Sequence, residues 1–188
     1  GKPAAITLAT KAIDDSVLLA ESMSNESLRV YLSSDPVGVQ LGGGLKNIVA
    51  IAAGISDGLE MGANAKAALV TRGLDEISAL GLLLGASEKT FMGLSGMGDV
   101  MLSSSDDKSR NRKLGLSIGG GLSFSEAVKL QSGTPEGAHA IKTLVENGVV
   151  NDKQPVLYSV YQVLYSGIKP SNVANELMRR PIKEEGLR

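Results

Sequence analysis

The sequence predicts a mainly α protein with a short β-α-β start. Apolar residues after Asp35-Pro36 recur at helical spacing, at Val37, Leu41, Leu45, Ile48, Ala52, Ile55 and Leu59. Helix start and stop residues punctuate the second half of the chain, as in Ser123-x-x-Glu126 and Thr134-Pro135-Glu136. Only two short segments near the N-terminus read as strands.

Taken in order, residues 4–10 (AAITLAT) are small and β-branched and predict a strand. Residues 14–24 predict a short helix with Val17, Leu18 and Met23 facing inward. Residues 28–33 (LRVYLS) alternate and predict the second strand. A two-stranded sheet is marginal alone, so these strands are expected to complete a sheet whose other strands lie outside this chain. From residue 37 onward the chain reads as an all-helical body of roughly seven helices. Asn64 is the expected cap of the second long helix, with Leu69, Gly73, Ile77, Leu80 and Leu84 on one face. A short helix falls near residues 87–92, and 93–111 read as a glycine- and serine-rich connector. Thr134 is the expected N-cap of a helix with Pro135 at its first position, and Gly148 its stop. Helices over 155–166, closed by Gly167, and 171–179 complete the body.

Composition narrows the function. The chain has 188 residues, 43% of them hydrophobic and 21% charged, which suits a folded domain rather than a disordered one. Lys and Arg number 19 against 20 Asp and Glu, a net charge of −1, which argues against a nucleic-acid partner. There is no cysteine and a single histidine, His139, so thiolate chemistry and multi-histidine metal sites are excluded and no metal is expected. His139 reads as a surface residue. No signal peptide is legible at the start, and the longest apolar stretch, 48–55, is too short to span a bilayer. The expectation is a cytoplasmic protein without membrane insertion, with exposed strand edges that hint at a homodimer. Glycine is frequent, 23 residues beside 6 aromatics. The clusters at 42–44 and 93–98 are expected to wall a small-ligand site.

Lys46 is the most informative position. It sits in LGGGLKNIVAIAAGI, apolar on nearly every side, and lysine is rarely buried without a partner. It either snorkels to a surface or serves a site, where desolvation would make an amine readier to exchange a proton. Asp99 follows three glycines and is a candidate to hold that amine or orient a carbonyl oxygen. Ser109, Arg110 and Asn111 combine a hydroxyl, a planar fork of donors and an amide, a set that suits a phosphate. On composition alone, a solvated, capped helix start is the better reading of those residues. Neither dinucleotide nor triphosphate loop motifs are present: GMGDVM fails G-x-G-x-x-G at Met101, and GGGLKN is no P-loop.

In combination, LGGGLKNIVAIAAGISDGLEMGANAKAALVTRGLDEIS, FMGLSGMGD, SRNRKLG and PVLYSVYQVLYSG resemble the bacterial NAD(P)-dependent glycerol-3-phosphate dehydrogenases. The resemblance runs over nearly the whole chain. It implies a multi-helix C-terminal domain of the 6-phosphogluconate dehydrogenase-like type over 37–188. Residues 1–36 would be the last strands and helix of a Rossmann domain, whose glycine-rich loop would lie before Gly1. It implies NAD or NADP as cofactor and a small phosphorylated carbonyl compound as substrate. Lys46 would be the catalytic lysine, protonating the carbonyl of dihydroxyacetone phosphate. Asp99, Ser109, Arg110 and Asn111 would bind substrate beside it. Arg110, Thr134 and Glu136 would touch the cofactor, although the family's V-x-E-G reads Thr134-Pro135-Glu136-Gly137 here. The chain alone would lack turnover. Two other readings stand beside this one. Dehydrogenases of the 6-phosphogluconate type carry Asn four residues after the lysine, where this chain has Ala50. A non-catalytic helical module docking through its strand edge would scatter Lys46, Asp99 and Arg110 over different faces.

Overall fold

The computed structural model describes residues 1–131, 133 and 135–179. Strand β1 (Ala4–Ala9), helix α1 (Ile13–Met23) and strand β2 (Leu28–Ser33) form the start. The strands pair in parallel, with Ala4 opposite Leu28 and Ala9 opposite Ser33. A parallel pair needs a crossover, and α1 supplies it. The inward face expected for α1 is not formed. Ala20 is its one buried residue, and Leu18 is 77% exposed, because among the described residues α1 packs on β2 and its other side stays open.

The body is helical, as the sequence predicts. Helix α2 (Pro36–Gly58) is followed by α3 (Gly62–Leu83), α4 (Glu88–Phe91), a π-helical turn (Leu94–Gly98) and α5 (Asp99–Ser105). Then come α6 (Arg110–Gly119), α7 (Phe124–Lys129), α8 (Glu136–Glu146), α9 (Pro155–Tyr165) and α10 (Pro170–Met178). Helix α2 runs through the centre, with α3, α5, α6, α8 and α9 packed around it. Its residues Ile48, Val49, Ala50, Ile51 and Ala53 are wholly buried, joined in one core by Ile77, Leu114, Ile141 and Leu157. At 23 residues with mean hydropathy 1.2, α2 is long and apolar enough to cross a membrane. The sequence expectation that no stretch reaches that length missed this, because glycines and Lys46 interrupt the apolar run. In the fold 61% of that apolar window is buried inside the protein, which is the environment of a core helix.

Four glycines let α2 and α6 touch along their backbones. A Cβ on Gly54 would strike the Arg112 carbonyl, one on Gly58 would lie 2.8 Å from the Gly119 Cα, and one on Gly115 would lie 2.8 Å from the Ile55 nitrogen. Of the clusters expected to wall a small-ligand site, Gly42 and Gly96 are close approaches to the Ser95 and Phe91 backbones, while Gly43 lines the cleft described below.

Local start signals held where the side chain reaches its own helix. Ser123 and Glu126 form the capping box of α7, and Gly148 and Gly167 take the positive φ of helix stops. Two expectations shift. Helix α3 begins at Gly62, so Asn64 lies inside its first turn rather than capping it. Helix α8 begins at Glu136 with Pro135 at the cap position, so Pro135 stands one place earlier than expected. Thr134 lies outside the described residues. The expected connector is largely helical: the π-helical turn and α5 occupy 94–105, where serine and glycine mask the helical pattern.

Candidate active site

The site is built where α2 passes the starts of α5, α6 and α8. The beginning of α2 is pinned first. Asp35 caps it, taking the Gly38 N–H at 2.9 Å, and Pro36 follows at a first-turn position. The same carboxylate accepts from the Ser87 N–H at 2.8 Å and the Thr90 hydroxyl at 2.6 Å. Burial pushes the Asp35 carboxyl up, but these three hydrogen bonds outweigh it and hold it below the usual aspartate range.

Lys46 follows along the same helix. Its Nζ donates to Asp99 Oδ2 at 2.7 Å, with the two side chains 24% and 36% exposed. The sequence left open whether this amine reaches water or serves a site; the structure sets it in the wall of an open cleft with a carboxylate beside it. Gly43, one turn earlier, keeps that wall low, since a Cβ there would meet nothing within 4 Å. Asp99 is the first residue of α5, directly after the π-helical turn that re-aims the chain.

Helix α6 brings the residues expected to bind an anion. Ser109 caps it, its hydroxyl accepting the Arg112 N–H at 3.3 Å. Arg110 lies in the first turn with its side chain 56% exposed, 3.9 Å from the carboxylate of Glu136. Asn111 is turned inward and only 8% exposed. Its Oδ1 accepts the Gly137 N–H at 3.0 Å and its Nδ2 donates to Asn47 Oδ1 at 3.0 Å. Asn47 in turn donates to Glu136 Oε2 at 3.4 Å. Asn111 therefore ties together α2, α6 and the start of α8, and keeps one amide hydrogen for a ligand.

Lys46, Ser109, Arg110, Asn111 and Glu136 all line one cleft of about 440 Å³. Asp99 reaches it through Lys46. His139 is exposed, as expected. Asn47, Ser103 and Lys108 also line the cleft without having been assigned to the site. Ser103 was legible in principle: had 99–105 been read as helix, Asp99 and Ser103 would fall four apart on one face. Asn47 carried no signal beyond its place next to Lys46.

An amine paired to a carboxylate, beside a capped helix start bearing a guanidinium, can place and polarise a small anionic ligand. Fold and cleft together define a helical body whose cleft gathers cationic and hydrogen-bonding side chains beside a lysine paired with a carboxylate. The family model for the NAD-dependent glycerol-3-phosphate dehydrogenase C-terminus matches residues 35–175, and the chain belongs to that family. It is 46% identical over 186 residues to the glycerol-3-phosphate dehydrogenase [NAD(P)+] of Nitrosococcus oceani, covering 98% of this chain and 54% of that one. It is 43% identical to the Francisella tularensis protein of the same name, with 97% and 55% covered. Among solved structures, the Coxiella burnetii glycerol-3-phosphate dehydrogenase superposes with a TM-score of 0.87 at 37% identity, covering 95% of this chain and 55% of that one. The Plasmodium falciparum enzyme, at 20% identity and a TM-score of 0.85 with 97% and 54% covered, shares the fold. The chain spans about half the length of the curated relatives it matches.

Proposed function

We propose that this chain is the substrate half of an enzyme that interconverts dihydroxyacetone phosphate and sn-glycerol 3-phosphate with NAD(P)H. The observation that carries the reading is the convergence of Lys46, Ser109 and Arg110 on one cleft, with Asp99 bonded to the Lys46 amine. Ser109 and Arg110 bind the phosphate, the guanidinium by a two-point contact. Asn111 adds its remaining amide hydrogen. The Lys46 ammonium gives a proton to the oxygen at C2 during reduction, and the amine takes it back from the hydroxyl during oxidation. Asp99 holds that amine in place through its 2.7 Å hydrogen bond.

The residues present fit the reactive end of a nicotinamide cofactor only. Arg110 and Glu136 stand exposed at the cleft rim, while the turn from β1 to α1, Thr10-Lys11-Ala12, has no glycine-rich loop. Thr134 belongs to the same proposed contact. The cofactor supplies or accepts the hydride at C2 when bound. Residues 1–36 are read as the end of its binding domain and 37–188 as the substrate domain, a division supported by the parallel pair β1–β2 and the helical body beyond it. The same reading makes the enzyme a cytoplasmic homodimer that supplies glycerol 3-phosphate for glycerophospholipid synthesis. The covered surface of α2 supports the absence of membrane insertion.

The test is NADH oxidation with dihydroxyacetone phosphate. The chain alone is expected to show none. Fused behind the unmatched half of the Coxiella burnetii enzyme it is expected to turn over, with Lys46→Ala reducing kcat by about 10²–10⁴-fold. Turnover undiminished by that substitution would remove Lys46 from the chemistry.

A further inference from the structure

We propose that Arg112 is a positioning residue for the phosphate-binding segment 108–111, an inference that rests on the substrate reading above. Arg112 is not part of the cleft wall. Its guanidinium turns the other way and is 13% exposed. Nε and Nη2 both donate to Asp57 Oδ2, at 3.1 and 2.7 Å. Nη1 donates to Asp107 Oδ1 at 2.6 Å. Asp57 is held from its other side by Lys66 of α3, at 3.0 Å from Oδ1. One side chain thus links the end of α2, the start of α3 and the loop that precedes α6.

What it holds is the anion-binding segment. The Arg112 backbone N–H is the donor that Ser109 caps, and Asp107 lies immediately before Lys108 and Ser109. Asp57 sits on the same helix as Lys46, toward its C-terminal end. The Arg112–Asp57 pair therefore locks the helix carrying the anion set to the helix carrying the amine. The glycine seam brings the two backbones together, and the guanidinium fixes their ends by three nitrogens, a geometry a single ammonium does not reproduce. Displacements of about 1 Å in such arrangements cost up to about 10²-fold in productive binding and reaction.

The experiment measures the Kd of the 188-residue chain for sn-glycerol 3-phosphate by NMR titration, alongside Tm, with inorganic phosphate as a second probe. Arg112→Gln is expected to weaken both ligands by about tenfold, with Arg112→Lys recovering part of the loss. Asp107 is 91% exposed, so Asp107→Ala should leave Tm unchanged while still weakening binding. Leu157→Ala, in the core away from the cleft, should lower Tm and leave Kd unchanged, which separates positioning from general loosening. Arg110→Gln reports on the substrate reading itself. If Arg110→Gln weakens binding and Arg112→Gln does not, the positioning role is overturned alone. If neither weakens it, the phosphate reading falls and this inference with it. Should Arg112→Gln fail to fold, Asp107→Ala decides: weaker binding at unchanged Tm supports the role, and unchanged binding overturns it.

Discussion

Lys46 and Asp99 are 53 residues apart in sequence and 2.7 Å apart in space. Each could be singled out in the sequence for its setting, the lysine by its apolar helix and the aspartate by the glycines before it. Their pairing was a suggestion there and is a geometry here. In the fused enzyme, Asp99→Asn is expected to reduce kcat by about 10²-fold with Tm little changed, since it removes the charge beside a partly exposed amine and little packing. Unchanged steady-state kinetics would show that Asp99 only packs. Asn111 lies at the other extreme. Its neighbours in SRNRK gave every sign of a solvated helix start, yet its amide is buried and bonded to two other segments. Asn111→Ala strands the Gly137 N–H and Asn47 Oδ1, and is expected to cost about 1–3 kcal/mol in urea unfolding. An unaltered midpoint would mean that water replaces the lost bonds.

The helices show where local pattern suffices and where it does not. Helix α2 was legible because its apolar residues repeat over six turns and Asp35-Pro36 marks its start. The π-helical turn and α5 were hidden because glycine and serine carry no hydrophobic period. The two kinds of glycine on α2 and α6 were also indistinguishable, since nothing local separates a glycine facing solvent from one facing another backbone. Gly115→Ala forces a Cβ into the Ile51 carbonyl and is expected to cost about 1–3 kcal/mol or more. Gly44→Ala, where a Cβ meets nothing within 4 Å, is expected to stabilise by about 0.5–1 kcal/mol. Thermal unfolding of the pair checks the contrast, and equal shifts would refute the seam.

For the molecule as a whole, two carboxylates tie its parts together. Asp35 joins the start of α2 to α4, and Asp57 joins α2 to α3 and α6. Burial raises the Asp57 carboxyl, but the hydrogen bonds and charges of Lys66 and Arg112 outweigh it and hold it below its ordinary value. Both groups therefore bind protons less readily folded than unfolded. Their contribution is full above the ordinary aspartate value of 3.8 and is lost as pH falls through the lower folded values. The urea midpoint is expected to drop as pH falls below about 4, and Asp57→Asn to flatten that drop; an equally steep drop in the variant would clear Asp57 of responsibility.

Taken alone, the sequence determined the helical body, some of its caps and the residues worth testing, because periodicity and capping act within a few residues of chain. Only the tertiary structure decided that α1 keeps an uncovered face, that Arg112 turns away from the cleft its neighbours line, and that Lys46 has Asp99 for a partner. Those outcomes depend on which segments pack against which, and contacts between residues 50 or more apart leave no trace in local pattern.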